Sequence, residues 1–223
     1  MQEETRVQVA VVSEQAAECL GLATALAQGG YHLALQVPEG EDLLDALANG
    51  LEVRLVLLDV SATMANGFTT LERLCTGYPD VRVLAFATRP NDTDTLRTYR
   101  TGGRGMLSRK AGVEELVRAL DAIHNTGIYH TEQTHRLLLE NPDGLSQEER
   151  NRKRLLEQFP AHGLEVLERI CREDDLTYAY IGEELAIGKR TVEKRVNQLF
   201  ELFGVRSKTA LALGAVRLGI VVL

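Results

Sequence analysis

The chain contains 223 residues, of which 44% are hydrophobic and 26% are charged, and its formal net charge is −7 at pH 7. This length suits two small domains or one large domain, and the composition is ordinary for a soluble globular protein. No apolar run approaches the roughly 18 residues of a membrane-spanning helix, and the first residues lack the core of a signal peptide. We therefore expect a cytoplasmic protein without a membrane partner.

The charge is distributed unevenly along the chain. From Ser146 onward there are 13 Lys and Arg against 12 Asp and Glu, whereas the preceding residues hold 12 against 20. Between Lys189 and Arg217 the balance is 7 basic to 2 acidic residues, a net charge of +5. Such a local cationic segment is typical of a surface that contacts nucleic acid, and a solvated charged face is the simpler alternative.

β-Branched runs and helical patterns alternate through the first half of the chain. Strands are predicted at residues 6–12, Tyr31–Val37, Val53–Asp59, Val81–Ala87 and Gly105–Ser108. Helices are predicted up to about Gln28 and at Glu41–Ala48, Thr69–Cys75, Asn91–Thr101 and Val113–His124. This alternation predicts an α/β fold with a five-stranded, doubly wound parallel sheet that helices cover on both faces. In such sheets ligands bind at the carboxyl ends of the strands.

One strand end has a recognisable sequence. The segment LVLLDVSATMANG closes a buried strand with Asp59 and places Gly67 eight residues later. It resembles the phosphoacceptor region of response-regulator receiver domains, and the resemblance extends over residues 6–126. The resemblance implies a flavodoxin-like fold in which Asp59 accepts a phosphoryl group. It also implies an acidic pair for Mg²⁺ after the first strand, a Thr or Ser ending the fourth strand, and a Lys after the fifth.

The chain departs from this pattern around Asp59. Ser13 and Glu14 stand at the acidic pair, so one carboxylate is absent. The Thr or Ser position falls on Ala87, and the Lys position falls on Arg109. A missing carboxylate weakens a site for a hard cation, and phosphoryl transfer depends on metal and cationic groups. We therefore predict a degenerate receiver that dimerises, or responds to a small-molecule ligand, without phosphate.

The alternative is an orthodox response regulator that a sensor kinase phosphorylates on Asp59, with Mg²⁺ as its cofactor. No other cofactor is expected. The chain has no Walker-type loop, no nucleophile elbow and no zinc-binding spacing, so we expect no enzyme, no catalytic residue and no resident metal. The three cysteines, Cys19, Cys75 and Cys171, are scattered and odd in number, which favours reduced packing residues over a disulfide.

The second half of the chain is predicted to be helical. Residues 127–158 carry turn signals at Asn141-Pro142 and Asp143-Gly144, and then a charged helix after Ser146, so they are interpreted as a linker. Four further helices are predicted at His162–Cys171, Tyr178–Leu185, Lys189–Phe203 and Lys208–Leu218. They are enough for a small all-α domain.

The helix predicted at Lys189–Phe203 is amphipathic. Val192, Val196 and Leu199 recur on one face, and basic residues stand on the other. The sequence TVEKRVNQLFELFGVRSKTALA and its flanking helices resemble the LuxR-type helix-turn-helix domain. That resemblance implies that the helix enters the DNA major groove. The candidate DNA-binding residues are Lys189, Arg190, Thr191, Lys194, Arg195, Gln198, Arg206 and Lys208.

Together these segments resemble a response regulator of the NarL/FixJ type. We predict a receiver-like domain at residues 1–126, the linker at 127–158 and a DNA-binding domain at 159–223. The expected function is sequence-specific transcriptional regulation, with double-stranded DNA as partner. A protein-binding adaptor that has lost DNA binding is the alternative from another class. In the last helix Leu211, Val216 and Ile220 are candidates for burial, and any apolar stripe left exposed would suit a homodimer.

Overall fold

The structure, a computed structural model, describes residues 6–14, 16–61, 66–172 and 177–221, with side chains in the first helix described from Leu22 onward. The chain divides into two compact units, Met1–Ser146 and Gln147–Leu223. Among the described residues, no helix is long and apolar enough to cross a membrane.

The first unit is built on a parallel sheet. Its strands are β1 (Val7–Val12), β2 (Tyr31–Val37), β3 (Leu55–Asp59), β4 (Arg82–Ala87) and β5 (Gly105–Ser108), in the spatial order β2-β1-β3-β4-β5. The helices between and after them are α1 (Ala16–Gln28), α2 (Gly40–Ala48), α3 (Gly67–Gly77), α4 (Asp92–Thr101) and α5 (Val113–Thr126). The predicted α/β, doubly wound fold is confirmed.

Apolar residues fill both faces of the central strands. In β3 every residue is buried, and its side chains alternate between the two faces of the sheet. Val56 and Leu58 belong to the core that α2 and α3 cover, whereas Leu55 and Leu57 belong to the core that includes Leu120 of α5. Burial on both faces explains why β3 is a continuous apolar run up to Asp59. Its observed start at Leu55 is two residues later than predicted.

The segment after α5 differs from the linker that we predicted. Residues Glu132–Glu140 form a helix, α6. Thr131 caps its start, because the Thr131 side chain accepts a hydrogen bond from the backbone N–H of Thr134. The residues around α6 are fastened to the first unit. The Tyr99 hydroxyl donates to the carbonyl of Tyr129, and Arg100 donates to the carbonyl of Gly144 at 2.5 Å. The first unit therefore extends to Ser146, rather than ending at residue 126.

The second unit contains only helices among its described residues. These are α7 (Gln147–Glu157), α8 (Gly163–Arg172), α9 (Tyr178–Glu184), α10 (Lys189–Phe203) and α11 (Lys208–Arg217). The charged helix α7 was predicted inside the linker and is part of this unit. Residues from α8 to α11 form one core around Leu167, Ile181, Val196 and Leu211. Their positions recur three or four residues apart along each helix, as packing of amphipathic helices requires.

One burial prediction for α11 is wrong. Leu211 is fully buried and Ile220 packs on the core, but Val216 is 37% exposed. Leu213 and Leu218 are exposed as well, at 67% and 42%. The core is already filled from the other side of α11 by Leu211 and Ala215. Leu213 and Val216, which lie one helical turn apart, therefore leave an apolar patch on the surface of α11.

Candidate receiver site and nucleic-acid interface

Asp59 lies at the carboxyl end of β3, between two neighbouring strands. In the register of the sheet it pairs with Phe86 of β4, and Ala87 pairs with Ser108 of β5. Residues at these strand ends therefore meet along one edge. The Asp59 side chain is only 2% exposed, so its charge depends on partners inside the protein.

Ser61 supplies the first of these partners. Its backbone N–H donates to Oδ1 of Asp59 at 2.9 Å, and its hydroxyl donates to the same oxygen at 2.6 Å. The Ser61 hydroxyl also accepts a hydrogen bond from the backbone N–H of Thr88 at 3.2 Å. This chain of contacts connects Asp59 to the loop that follows β4. The Thr88 side chain itself is exposed.

Arg109 supplies the second partner. It follows β5 directly, its backbone N–H donates to the carbonyl of Ala87 at 2.7 Å, and its guanidinium forms an ion pair with Oδ2 of Asp59. The Arg109 side chain is 11% exposed, and its guanidinium carbon lies 5.4 Å from the centre of the Phe86 ring. Arginine keeps its charge and binds carboxylates in a planar geometry, so this buried position suits Arg better than Lys.

The other predicted receiver positions offer little to a metal ion. Ser13 is buried and its backbone N–H donates to the carbonyl of Val37 at 3.0 Å, whereas Glu14 is exposed. Ala87 is 3% exposed and has no polar side chain. Both oxygens of Asp59 already accept hydrogen bonds, and no group of three or more His, Cys, Asp or Glu side chains suited to a metal occurs in the described part of the chain. These residues do not fit Mg²⁺, which needs several oxygen ligands.

The second candidate site is the surface of α10. The helix begins after Gly188, and Gly204 ends it in the left-handed conformation with φ 65°. Val192, Val196 and Leu199 are buried, which fixes the rotation of the helix about its axis. Arg190 and Lys194 consequently lie on the exposed side.

Two residues that the sequence reasoning missed share this exposed face. Asn197 and Glu201 lie seven residues after Arg190 and Lys194 respectively, which is two helical turns, and both are exposed. Their positions follow from the same helical spacing that locates the buried face. Lys189 is also exposed, at 62%, with its Nζ atom 3.7 Å from a carboxylate oxygen of Glu193.

Apart from Arg206, the remaining candidate DNA-binding residues are half-buried, and several of them contact other residues of the unit. Arg195 is half-buried and donates to Oε1 of Gln198 at 3.0 Å, and Thr191 is half-buried. Lys208 is half-buried with its Nζ atom 4.4 Å from the centre of the Tyr178 ring. Arg206 is exposed. The predicted set therefore separates into an accessible group and a group that supports the helix.

Tyr178 is a neutral support for Lys208. Burial, and secondly the negative charge of Glu193, raise the pKa of the Tyr178 phenol above its ordinary value. The ring therefore stays uncharged at neutral pH and attracts the Lys208 ammonium through its π-face. This contact anchors the start of α11 beside α9.

The chain belongs to the response regulator family. The family model of the response regulator receiver domain matches residues 9–121, half of the chain, and this range includes Asp59 and Arg109. The predicted resemblance to response regulators of the NarL/FixJ type is confirmed.

Several individual proteins are similar over nearly the whole chain. The transcriptional regulatory protein DegU of Brevibacillus brevis is 24% identical over 228 residues, which cover 97% of this chain and 95% of DegU. The response regulator GacA of Pseudomonas aeruginosa is 26% identical over 216 residues, which cover 96% of this chain and 98% of GacA.

Solved structures share the fold. The RcsB response regulator of Salmonella typhimurium matches with a TM-score of 0.54 at 16% identity, over 97% of this chain and 99% of that one. An RcsB structure in complex with DNA matches with a TM-score of 0.55, also at 16% identity, over 95% and 98% of the two chains.

The Asp59–Arg109 ion pair can be tested by unfolding. We expect Arg109→Leu to lower the free energy of unfolding of the first unit by about 3–5 kcal/mol, because it leaves a buried carboxylate without its cation. Asp59→Asn combined with Arg109→Leu should recover part of this loss, since neither charge remains. Hydrogen exchange of β3 peptides in increasing urea reports on this unit alone.

Lys110→Leu is the matched control, because Lys110 is adjacent and exposed. It should change the same free energy by no more than about 0.5 kcal/mol. Equal losses for Arg109→Leu and Lys110→Leu would show that the ion pair does not stabilise the sheet edge.

Proposed function

We propose that this chain is a transcriptional regulator that binds double-stranded DNA through α10 and does not depend on phosphorylation of Asp59. The observation that carries the DNA-binding half is the accessible face of α10, where Arg190 and Lys194 project opposite a buried face. The name of DegU, a transcriptional regulatory protein, and the DNA complex of RcsB support the same assignment.

The geometry of α10 suits the major groove. Arg190, Lys194 and Asn197 lie on one side of a helix whose opposite side is fixed in a core. Arginine and lysine pair with guanine edges or phosphates, and asparagine pairs with adenine. Arg206 is exposed before α11, and in this proposal it contacts the DNA backbone. In this proposal Arg195 and Gln198 mainly hold each other in place on α10, and they contact DNA only secondarily.

The receiver site supports the second half of the proposal. Phosphorylation requires a carboxylate oxygen that can attack, and a metal ion that neutralises the phosphoryl charge. In this chain Arg109 and Ser61 engage the two oxygens of Asp59. The Arg109 guanidinium pairs with Asp59, and Ser13 stands where a second carboxylate would help to hold Mg²⁺. A sensor kinase is then not a required partner, and the orthodox phosphorylated regulator becomes the outcome that would replace this proposal.

A homodimer is the proposed DNA-binding form. Leu213, Val216 and Leu218 are apolar and exposed on or directly after α11. A second copy of the same surface would cover the patch formed by Leu213 and Val216, and two-fold symmetry would match two DNA half-sites. A matched RcsB structure contains dimers on DNA, which supports this arrangement.

Replacing a cation on α10 should weaken DNA binding. We expect Arg190→Ala to cost about 1–3 kcal/mol on a selected DNA site, because it removes a contact to a base edge or phosphate. The slope of log K against log salt should fall by about one for a phosphate contact. The measurement is a fluorescence anisotropy titration of the intact chain at several salt concentrations.

Arg54→Ala makes the same chemical change on an exposed residue of the first unit and serves as control. If Arg54→Ala and Arg190→Ala reduce affinity equally, only the overall charge matters. Retention of full affinity and salt slope by Arg190→Ala would show that Arg190 does not contact DNA. Absence of salt-dependent DNA binding by the natural chain would favour the adaptor.

Phosphate donors should leave the protein unchanged. After incubation with acetyl phosphate and Mg²⁺ we expect no phosphoryl adduct by intact mass, because the Asp59 oxygens are engaged. Beryllofluoride with Mg²⁺ should not alter DNA affinity, and Asp59→Asn should select the same genomic fragments as the natural chain. An adduct that Asp59→Asn abolishes, together with tighter DNA binding, would restore the orthodox regulator.

The proposed dimer surface on α11 can be tested by introducing one negative charge. Leu213→Asp should shift the chain from dimer to monomer in analytical ultracentrifugation and weaken binding to a two-half-site DNA, since it places a carboxylate in the apolar interface. Leu139→Asp on α6 is the control, because Leu139 is exposed to a similar extent, at 69%. If the two variants have the same mass in solution, α11 is not the dimer surface.

A further inference from the structure

A cavity lies beside the receiver site, within the first unit. Its volume is about 380 Å³, and it is bounded by α1, by the sheet and by the start of α5. This volume falls in the range of small-molecule sites, which are typically about 300–1,000 Å³. Its described apolar lining includes Leu22, Leu57, Phe86, Leu107 and Leu116.

The lining becomes polar at the end nearest Asp59. Ser13, Ser108 and Arg109 supply the polar groups there. Arg109 is the one charged residue among the described lining residues, and the Asp59 carboxylate neutralises it. The described wall therefore carries hydrogen-bonding groups without a net charge. A charged ligand would lose its hydration without gaining an opposite charge that is not already paired.

The opening of the cavity is apolar as well. Val113, the first residue of α5, lines the cavity and is 45% exposed, which is high for a large aliphatic side chain beside a core. The acidic first turn of α5, with Glu114 and Glu115, follows Val113. Neither carboxylate lines the cavity, so the apolar side chain of Val113 forms this part of its edge.

We propose that this cavity binds a compact, uncharged, mainly apolar molecule that carries one hydroxyl or carbonyl group. The apolar body lies among Leu57, Leu107 and Leu116, and the polar group meets Ser13, Ser108 or Arg109. The proposal concerns the first unit alone and does not rest on DNA binding. It goes beyond the proposed function because it provides an input to a receiver that does not use phosphate.

Arg109 gives the bound molecule a route to the rest of the site. The same side chain lines the cavity and pairs with Asp59, which contacts Ser61, and Ser61 accepts a hydrogen bond from Thr88. A ligand whose polar group accepts a hydrogen bond from the Arg109 guanidinium changes the ion pair between Arg109 and Asp59. The loop between β4 and α4 is the next element along this series of contacts.

The test uses 1-naphthol and 1-naphthoate as probes, because they share an aromatic body and differ in charge at neutral pH. Isothermal titration with the intact chain should give one saturable naphthol site. We expect naphthoate to bind at least about tenfold more weakly, a difference of about 1.4 kcal/mol. Naphthoate that binds as tightly as naphthol would overturn the uncharged ligand class.

Two substitutions narrow the cavity, because each adds three carbon atoms to a residue that lines it. Ala25→Leu and Ala111→Leu should each weaken naphthol binding at least about tenfold, since both residues line the cavity. Ala48→Leu, on the exposed end of α2, is the matched control and should bind naphthol as the natural chain does. Two variants keep the test valid if one of them fails to fold.

Absence of a naphthol site in the natural chain would overturn the proposal for this class of ligand. Unchanged binding in both folded cavity variants would place the probe elsewhere and overturn it too. Neither result bears on DNA affinity, so a failure here remains distinguishable from a failure of the proposed function.

Discussion

The buried ion pair between Asp59 and Arg109 is the constraint on which the receiver site depends. A carboxylate with 2% of its side chain exposed is costly unless hydrogen bonds and an opposite charge compensate it. Here Ser61 and Arg109 provide both within a few residues of the strand ends. The sheet register brings them together, because β3, β4 and β5 end at the same edge. Because each charge of the pair has its partner inside the protein, the site needs no external ion to compensate the Asp59 carboxylate.

The pairing of Asp59 with Arg109 has consequences for regulation. In a receiver that uses phosphate, the site must hold a divalent cation and then a dianionic phosphoryl group. Here Arg109 pairs with the Asp59 carboxylate, and the buried neighbours Ser13 and Ala87 add no carboxylate for a metal ion. The remaining opportunity for an input is the neutral cavity on the other side of Arg109. Arg109 therefore both pairs with Asp59 and lines the proposed ligand site.

Much of the fold could be predicted because hydrophobic periodicity decides it. The run from Leu55 to Leu58 required burial on both faces, and Val192, Val196 and Leu199 fixed the orientation of α10. Helix α6 was missed because it buries no residue and directly precedes the turn signals at Asn141-Pro142, so only its Thr131 cap marked it. Ser61 was missed because its role depends on a local turn, in which its backbone N–H and its hydroxyl both donate to the Asp59 side chain. Val216 was predicted buried because sequence spacing cannot tell when a core is already full.

The DNA-binding face shows the same division between pattern and contact. The sequence identifies which residues of α10 are basic, but their availability depends on contacts with a neighbour one turn away or on another helix. Arg195 is held by Gln198, and Lys208 by the ring of Tyr178, whereas Arg190 and Lys194 remain exposed. Holding the flanking cations in place lowers the conformational entropy that α10 would lose on DNA. The accessible pair can then supply direct contacts from a helix whose position is already fixed.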